Sequence, residues 1–264
     1  MNFAVYQATH QGGRKYNQDR VAYAYTSEAL LLVLADGMGG HSHGELAAQI
    51  TVQVYMQAFA VAAKPRVHEP EEFLARIMRH AHQTIIQFAQ HQGLNGNPGT
   101  TCVAALVQDG EVCWAHAGDS RFYLMRAGNV AAVTADHSVV RQWADWALIT
   151  EDEIRTHPDR NKITNCLGGA DEQFFVETTH AMPLQQGDVM LLCSDGLWGP
   201  LTDAEMARAL AVAPLRAAIE HLTGVALYRE SHGADNTTAV VARWGEGEEN
   251  HDTSEPVFAV LDER

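Results

Sequence analysis

Four aspartates of this chain stand where an apolar, strand-like run meets a loop. Asp36 closes the run LLLVLA and is followed by Gly37, Met38, Gly39 and Gly40. Asp119 follows EVCWAHAG, Asp195 follows DVMLLCS, and Asp235 precedes Asn236 and the run TTAVVARW. A lone Asp-Gly is ordinary turn chemistry, because a short carboxylate bonds its own backbone and glycine accepts positive φ. Several carboxylates at strand ends are a different matter, since adjacent strands of one sheet bring such ends together. Crowded carboxylates repel one another unless a cation lies between them. An oxygen-only donor set suits a hard divalent ion, magnesium or manganese, which keeps part of its water shell and needs few protein ligands. The bare glycines after Asp36 would leave room for ions, water and an anionic ligand.

The elements that must position these carboxylates are legible in the pattern. Strands are expected at Asn2–Thr9, Val21–Thr26 and Leu30–Ala35, the last so rich in Leu and Val that burial on both faces is implied. Glu45–Ala62 and Pro70–Gln92 read as helices; in the second, Phe73, Ile77, Ala81, Thr84 and Phe88 recur at helical spacing. Four short β segments follow between Thr101 and Asp136, with Asp109-Gly110 and Gly128-Asn129 as hairpin turns. His137 to about Gly169 is polar with helical fragments and reads as an inserted flap, with Trp143, Trp146 and Ile149 as its own small core. FFVETTHAM and DVMLLCSD return to strand, Leu201–Leu210 and Pro214–Arg229 to helix, and Thr237–Trp244 to strand. Strict βαβ alternation is absent, which argues for antiparallel sheets with helices outside. From Gly245 an acidic linker, GEGEENHDTSEP, leads to VFAVLDER, a short segment that either hangs free or docks back.

Composition narrows the chemistry. The 264 residues carry a formal charge of −15, which disfavours nucleic acid and anionic membranes as partners. No apolar run reaches the ~20 residues of a membrane span. The N-terminus lacks the basic and apolar regions of a signal peptide, so a cytoplasmic protein is expected. The 4 cysteines are scattered without a CxxC pair, so neither a zinc site nor a redox motif is indicated.

Taken in order, NQD at 17–19, ADGMGG at 35–40, GTT at 99–101, GDSR at 118–121, DHS at 136–138, SDGLW at 194–198 and DNTT at 235–238 resemble the motifs of a bacterial metal-dependent protein phosphatase of type 2C, the PPM family. The likeness spans about Val5 to Trp244. It implies an α+β fold, a four-layer α-β-β-α sandwich in which two antiparallel sheets are flanked by helices. Residues 1–244 would be the catalytic domain, with a flap at about 137–169, and 245–264 an acidic tail. Carried over position by position, the family implies two manganese or magnesium ions. Asp36 would bridge them, Asp195 and Asp235 would complete the first site, and Asp19 with the Gly37 carbonyl would serve the second. Asp36, Asp195 and Asp235 would be the catalytic residues, with Asp119 and Asp195 at a third, weaker ion and Arg14 on the substrate phosphate. The implied activity is hydrolysis of phosphoserine and phosphothreonine in proteins by metal-activated water, opposing a eukaryotic-like serine/threonine kinase. The family also points to a monomer.

The chain departs from the animal pattern at two places. Met38 stands where animal members carry a histidine proposed as general acid, and methionine has no proton to give. A water held by metal, or His41 or His43, would have to replace it. Gln18 stands where animal members have glutamate, which would leave the second ion more hydrated. Two other readings share these residues: a phosphoprotein-binding module without turnover, and a hydrolase of small phosphate esters. The joint presence of Asp36, Asp195 and Asp235 speaks against the first. The absence of a GxxxxGK loop speaks against nucleotides for the second.

Overall fold

The computed structural model describes residues 1–38, 43–94, 98–169, 174–245 and 257–261. Strands β1 (Phe3–His10), β2 (Asp19–Tyr25) and β3 (Ala29–Met38) lead into helices α1 (Gly44–Ala62) and α2 (Pro70–Gln92). A meander follows: β4 (Gly99–Thr100), β5 (Cys102–Gln108), β6 (Glu111–Ala117), β7 (Arg121–Arg126) and β8 (Asn129–Val133). The polar stretch expected as a flap holds short helices α3 (Val139–Asp145) and α4 (Glu151–Ile154) and ends at β9 (Leu167–Gly168). Then come β10 (Glu177–Thr178), β11 (Met182–Pro183), β12 (Val189–Cys193), α5 (Asp195–Trp198), α6 (Asp203–Val212), α7 (Leu215–Glu230), β13 (Thr237–Trp244) and β14 (Val257–Leu261). No described helix is long and apolar enough to cross a membrane.

The strands form two antiparallel sheets. One runs β1-β13-β12-β7-β8; the other runs β10-β6-β5-β3-β2-β14, with β11 also on β6 and β4 bridging β3 to β9. The period of two along a strand explains how a nearly continuous apolar run serves two cores at once. In β3, Leu31, Val33 and Ala35 pack under α1 and α2, while Leu30, Leu32 and Leu34 face the other sheet. In β12, Leu191 and Cys193 pack under α6 and α7, while Met190 and Leu192 turn inward to meet β3. The layers are therefore α-β-β-α, as the sequence implies. The mouth of the sandwich, where strand ends from both sheets meet, lies between these cores.

Local differences have physical causes. The core stripe of α2 continues from Ala81 through His82 and Ile85 to Ala89, with Thr84 and Phe88 only partly buried. A 3.6-residue period drifts off a strict four-residue repeat over that length. FFVETTHAM contributes only the short β10 and the first residue of β11, two strands that each meet β6 for two residues. Trp146 is 67% exposed and is not part of a flap core, while Trp143 stacks edge-on against His157 with centroids 5.2 Å apart. At the far end, Val257–Leu261 pairs antiparallel with β2, Val257 opposite Tyr25 and Leu261 opposite Val21. The tail strand thus covers an edge of the larger sheet. Most of the acidic linker before it lies outside the described residues.

Candidate active site

Backbone pairing fixes the first carboxylates. Asp19 and Asp36 are direct partners across β2 and β3. The Asp36 backbone is clamped from the neighbouring strand: Thr101 N–H donates to its carbonyl at 2.8 Å, Thr100 Oγ1 donates to the same carbonyl at 2.9 Å, and Asp36 N–H donates to Thr101 Oγ1 at 3.1 Å. β3 runs on through Gly37 and Met38, which pair with β4, so Asp36 lies inside the strand and not at its tip. A Cβ on Gly37 would sit 2.3 Å from the Gly44 carbonyl oxygen and 2.8 Å from that of Gln18. The glycine is therefore required by close backbone packing at the start of α1, beyond any room it leaves for a ligand. Gly39, Gly40 and His41 lie outside the described residues. His43 adopts a left-handed conformation just before α1, with φ 83°.

The other sheet delivers the remaining groups. β12 ends at Cys193, Ser194 turns the chain, and Asp195 opens α5. Ser194 Oγ donates to Asp19 Oδ2 at 2.8 Å and accepts from Thr238 N–H at 3.0 Å, so one hydroxyl links the two sheets. Asn236, next to Asp235, is a second tie. Its Oδ1 accepts from Gln18 N–H at 2.9 Å, and its Nδ2 donates to the carbonyls of Gln11 at 2.8 Å and Tyr16 at 3.0 Å. That bracket holds the loop carrying Arg14. Gly12, at φ +63°, passes so close that a Cβ would lie 2.3 Å from the Asp235 carbonyl oxygen. Arg14 Nη2 donates to Asp235 Oδ2 at 2.5 Å. This contact raises the guanidinium pKa further, through the hydrogen bond first and charge attraction second.

Electrostatics set this corner apart. Burial, and then repulsion from Asp19, Asp195, Asp119 and Asp235, hold the Asp36 carboxyl well above the usual range. Asp195 is displaced the same way by burial and by Asp119 and Asp235. Burial and the Asp136 charge push Asp119 up to about 7, against the pull of Arg121. Burial pushes Asp19 up to about 6, against the hydroxyls of Thr238 and Ser194. Asp19 Oδ1 and Asp119 Oδ1 are buried without a hydrogen-bond partner. A buried carboxylate oxygen left unpaired is expensive, so a cluster of such atoms fits a resident cation. The donors are carboxylate and carbonyl oxygens, the set that hard divalent ions take. The residues present therefore fit the expected ions.

Beside the cluster a pocket of ≈ 150 Å³ is lined by Arg14, Asp195, Asp235, Trp198 and, from the flap, Arg160 and Asn161. The structure thus brings Arg14, Asp19, Asp36, Gly37, Asp119, Asp195 and Asp235 to one mouth. Asp136 is structural: Arg121 grips it through two bonds, at 2.7 and 2.6 Å, and stacks 3.6 Å from the Trp198 ring centroid. The supports Ser194, Asn236, Thr101 and Trp198 all stand inside the motifs quoted from the sequence, and motif membership is the signal that marks them; their partners emerge only in the fold.

The fold is shared with solved bacterial serine/threonine phosphatases. Residues 6–227 match the family described as protein phosphatase 2C, and the chain belongs to that family. Protein phosphatase PhpP of Streptococcus pneumoniae is 31% identical over 234 residues, spanning 88% of this chain and 94% of that protein. Serine/threonine protein phosphatase PstP of Mycobacterium tuberculosis is 37% identical over 235 residues, 87% of this chain and 42% of the longer relative. The crystal structure of the PstP catalytic domain in complex with 2 manganese ions superposes with a TM-score of 0.76 at 29% identity, covering 91% of this chain and 97% of that one. The chain is a serine/threonine protein phosphatase of the 2C type.

Proposed function

We propose that this enzyme depends on two manganese or magnesium ions held by Asp36, Asp195, Asp235, Asp19 and the Gly37 carbonyl, with a third, weaker ion at Asp119 and Asp195. The observation that carries the reading is the buried, mutually repelling carboxylate cluster with orphaned oxygens on Asp19 and Asp119. When bound, such ions activate a water for in-line attack and neutralise charge on the phosphoryl oxygens.

The chain's own residues do the rest. Three hydrogen bonds hold the Asp36 backbone, and so the root from which its carboxylate projects. Arg14 presents a planar guanidinium to the pocket, tethered through one nitrogen to Asp235. A fork of N–H donors matched to phosphoryl oxygens binds and orients a phosphoserine or phosphothreonine. Arg160 and Asn161 line the same pocket, which supports a role for the flap in selecting the phosphoprotein. Met38 offers no proton to the leaving alkoxide.

The physiological setting that fits is cytoplasmic, with a monomeric enzyme opposing a serine/threonine kinase and taking phosphorylated proteins as substrates. The PstP structure with manganese supports the metal dependence by likeness. The test is hydrolysis of a phosphothreonine peptide with manganese, magnesium or chelator. Turnover should be lost in chelator and in Asp36→Ala with the circular dichroism spectrum retained. Arg14→Ala should raise KM by roughly tenfold, the worth of about 1.4 kcal/mol, with a smaller change in kcat. Metal-independent turnover would reject the reading.

A further inference from the structure

A second cluster of donor side chains sits one strand away. His116, His137 and Glu177 each place one metal-ligating atom within 4.8 Å of the others, and His116 Nδ1 is buried without a partner. The hydrogen bonds around His137 decide what this cluster is. Gly118 N–H donates to His137 Nδ1 at 3.2 Å, and Asn165 Nδ2 donates to the same nitrogen at 2.8 Å. The Asn165 amide cannot be turned over, because Phe175 fixes it: Nδ2 donates to the Phe175 carbonyl at 2.9 Å and Oδ1 accepts Phe175 N–H at 3.3 Å. Two donors aimed at Nδ1 require a lone pair there, so the ring proton sits on Nε2 and is donated to Glu177 Oε2, 3.1 Å away. A cation would need the very lone pair that this tautomer lacks. The cluster is therefore a hydrogen-bonded joint.

Its connections reach the active site. The His137 N–H donates back to the Gly118 carbonyl at 2.9 Å, so Gly118 is held by the same residue through both its amide and its carbonyl. Gly118 immediately precedes Asp119. It has φ +112°, and a Cβ there would lie 2.6 Å from Thr101 Cβ, so it rests on the threonine that clamps Asp36. The His137 carbonyl accepts Thr164 N–H at 2.8 Å, which closes the flap's exit against its entry. Four segments thus converge on one neutral imidazole: the end of β6, both roots of the flap, and the chain entering β10.

We propose that His137, oriented by Asn165 and Glu177, is a positioning residue that sets where the Asp119 carboxylate stands and where the flap leaves the sheet. The inference rests on Asp119 being a ligand of the weakest ion. Residues that orient metal ligands commonly contribute 10–100-fold in affinity.

The test is manganese binding by titration calorimetry, with amide hydrogen exchange across residues 139–169, on the full chain. His137→Leu should weaken the weakest class of sites by about tenfold and leave the tighter class alone, with faster exchange confined to the flap. His137→Asn keeps an acceptor oxygen near the place of Nδ1 and should restore the binding to within about threefold while the Glu177 contact stays lost. Asn165→Ala leaves the ring in place and should show the same displacement in smaller measure, which keeps the test open if the leucine variant fails to fold. A wild-type isotherm for both His137→Leu and Asn165→Ala, or equal weakening of every class, overturns the inference. Asp119→Asn separates the layers: if it too leaves the isotherm unchanged, the assignment of Asp119 to an ion has failed. If Asp119→Asn removes the weak class and His137→Leu does not, only the positioning role has failed. Zinc retained by the protein and lost in His116→Leu would overturn the tautomer.

Discussion

The carboxylates at the mouth of the sandwich and the histidine joint beside them make an instructive pair. Both gather potential metal ligands: the joint holds three ligating atoms within 4.8 Å of one another, and the mouth holds carboxylates close enough to repel one another, with Asp19 and Asp119 buried. In the joint, both ring nitrogens of His137 and the Nε2 of His116 have hydrogen-bond partners, one tautomer of His137 satisfies its ring, and His116 Nδ1 is the buried atom left over among the described residues. At the mouth, oxygens of Asp19 and Asp119 have no partner, and four carboxyl groups are driven toward their protonated forms. Proximity of ligands alone does not make a cation site. What distinguishes one is that its donors remain unsatisfied until the cation arrives.

The comparison can be broken most sharply at Asp36. Its hydrogen bonds to Thr100 and Thr101 use backbone atoms only, so Asp36→Asn keeps them. Activity should fall at least about 10³-fold, as expected when a ligand of the activating ions is removed. The chelated variant should nevertheless be more stable than chelated wild type by about 1–3 kcal/mol, because a neutral amide removes the cost of holding an ionisable carboxyl among buried, repelling neighbours. Urea unfolding in chelator measures this; a variant less stable than wild type would mean that the cluster is not strained without ions.

Titration sharpens the same contrast. In the folded, ion-free protein Asp19 and Asp119 keep protons up to about 6 and about 7, whereas an unfolded aspartate releases its proton near ~4. Over that interval the folded state binds more protons than the unfolded. These two groups therefore contribute most stability below pH ~4 and lose the contribution as pH rises through about 6 to 7. Manganese competes with those protons, so its stabilisation should grow as pH rises from about 5 to 8. Thermal unfolding with and without manganese at several pH values would show it. A manganese-induced shift independent of pH would contradict the assignment.

The smallest effect is expected at the tail. Ending the chain after Gly245 removes β14 and bares the edge of β2, whose other end carries Asp19. Loss of one short edge strand should lower stability by about 1–2 kcal/mol and promote self-association through the open edge. Chemical denaturation and light scattering test the two parts, and unchanged values in both would show that the tail strand does not hold the edge.

Much of this molecule can be read before it is folded. Hydrophobic runs of period two and 3.6 mark the strands and helices, because burial of alternate or one-sided residues is a local property of the chain. Aspartates next to glycine at the ends of such runs mark the mouth, because the chemistry of a metal-fitted carboxylate lies in its residue type. The flap's polar character is similarly visible.

What the sequence could not settle are relations across long separations. Ser194 meets Asp19, and Asn236 brackets the loop of Arg14, only because the sheets face each other. Asp36 lies within β3 because β4 arrives to pair with Gly37 and Met38, and Gly37 is glycine because α1 begins against it. The tautomer of His137 depends on an amide 28 residues away. Local pattern thus determined the elements, the family and the reactive groups. Tertiary contact alone decided which polar atoms are satisfied and which are left for a cation, because desolvation and hydrogen bonding depend on neighbours in space, not along the chain.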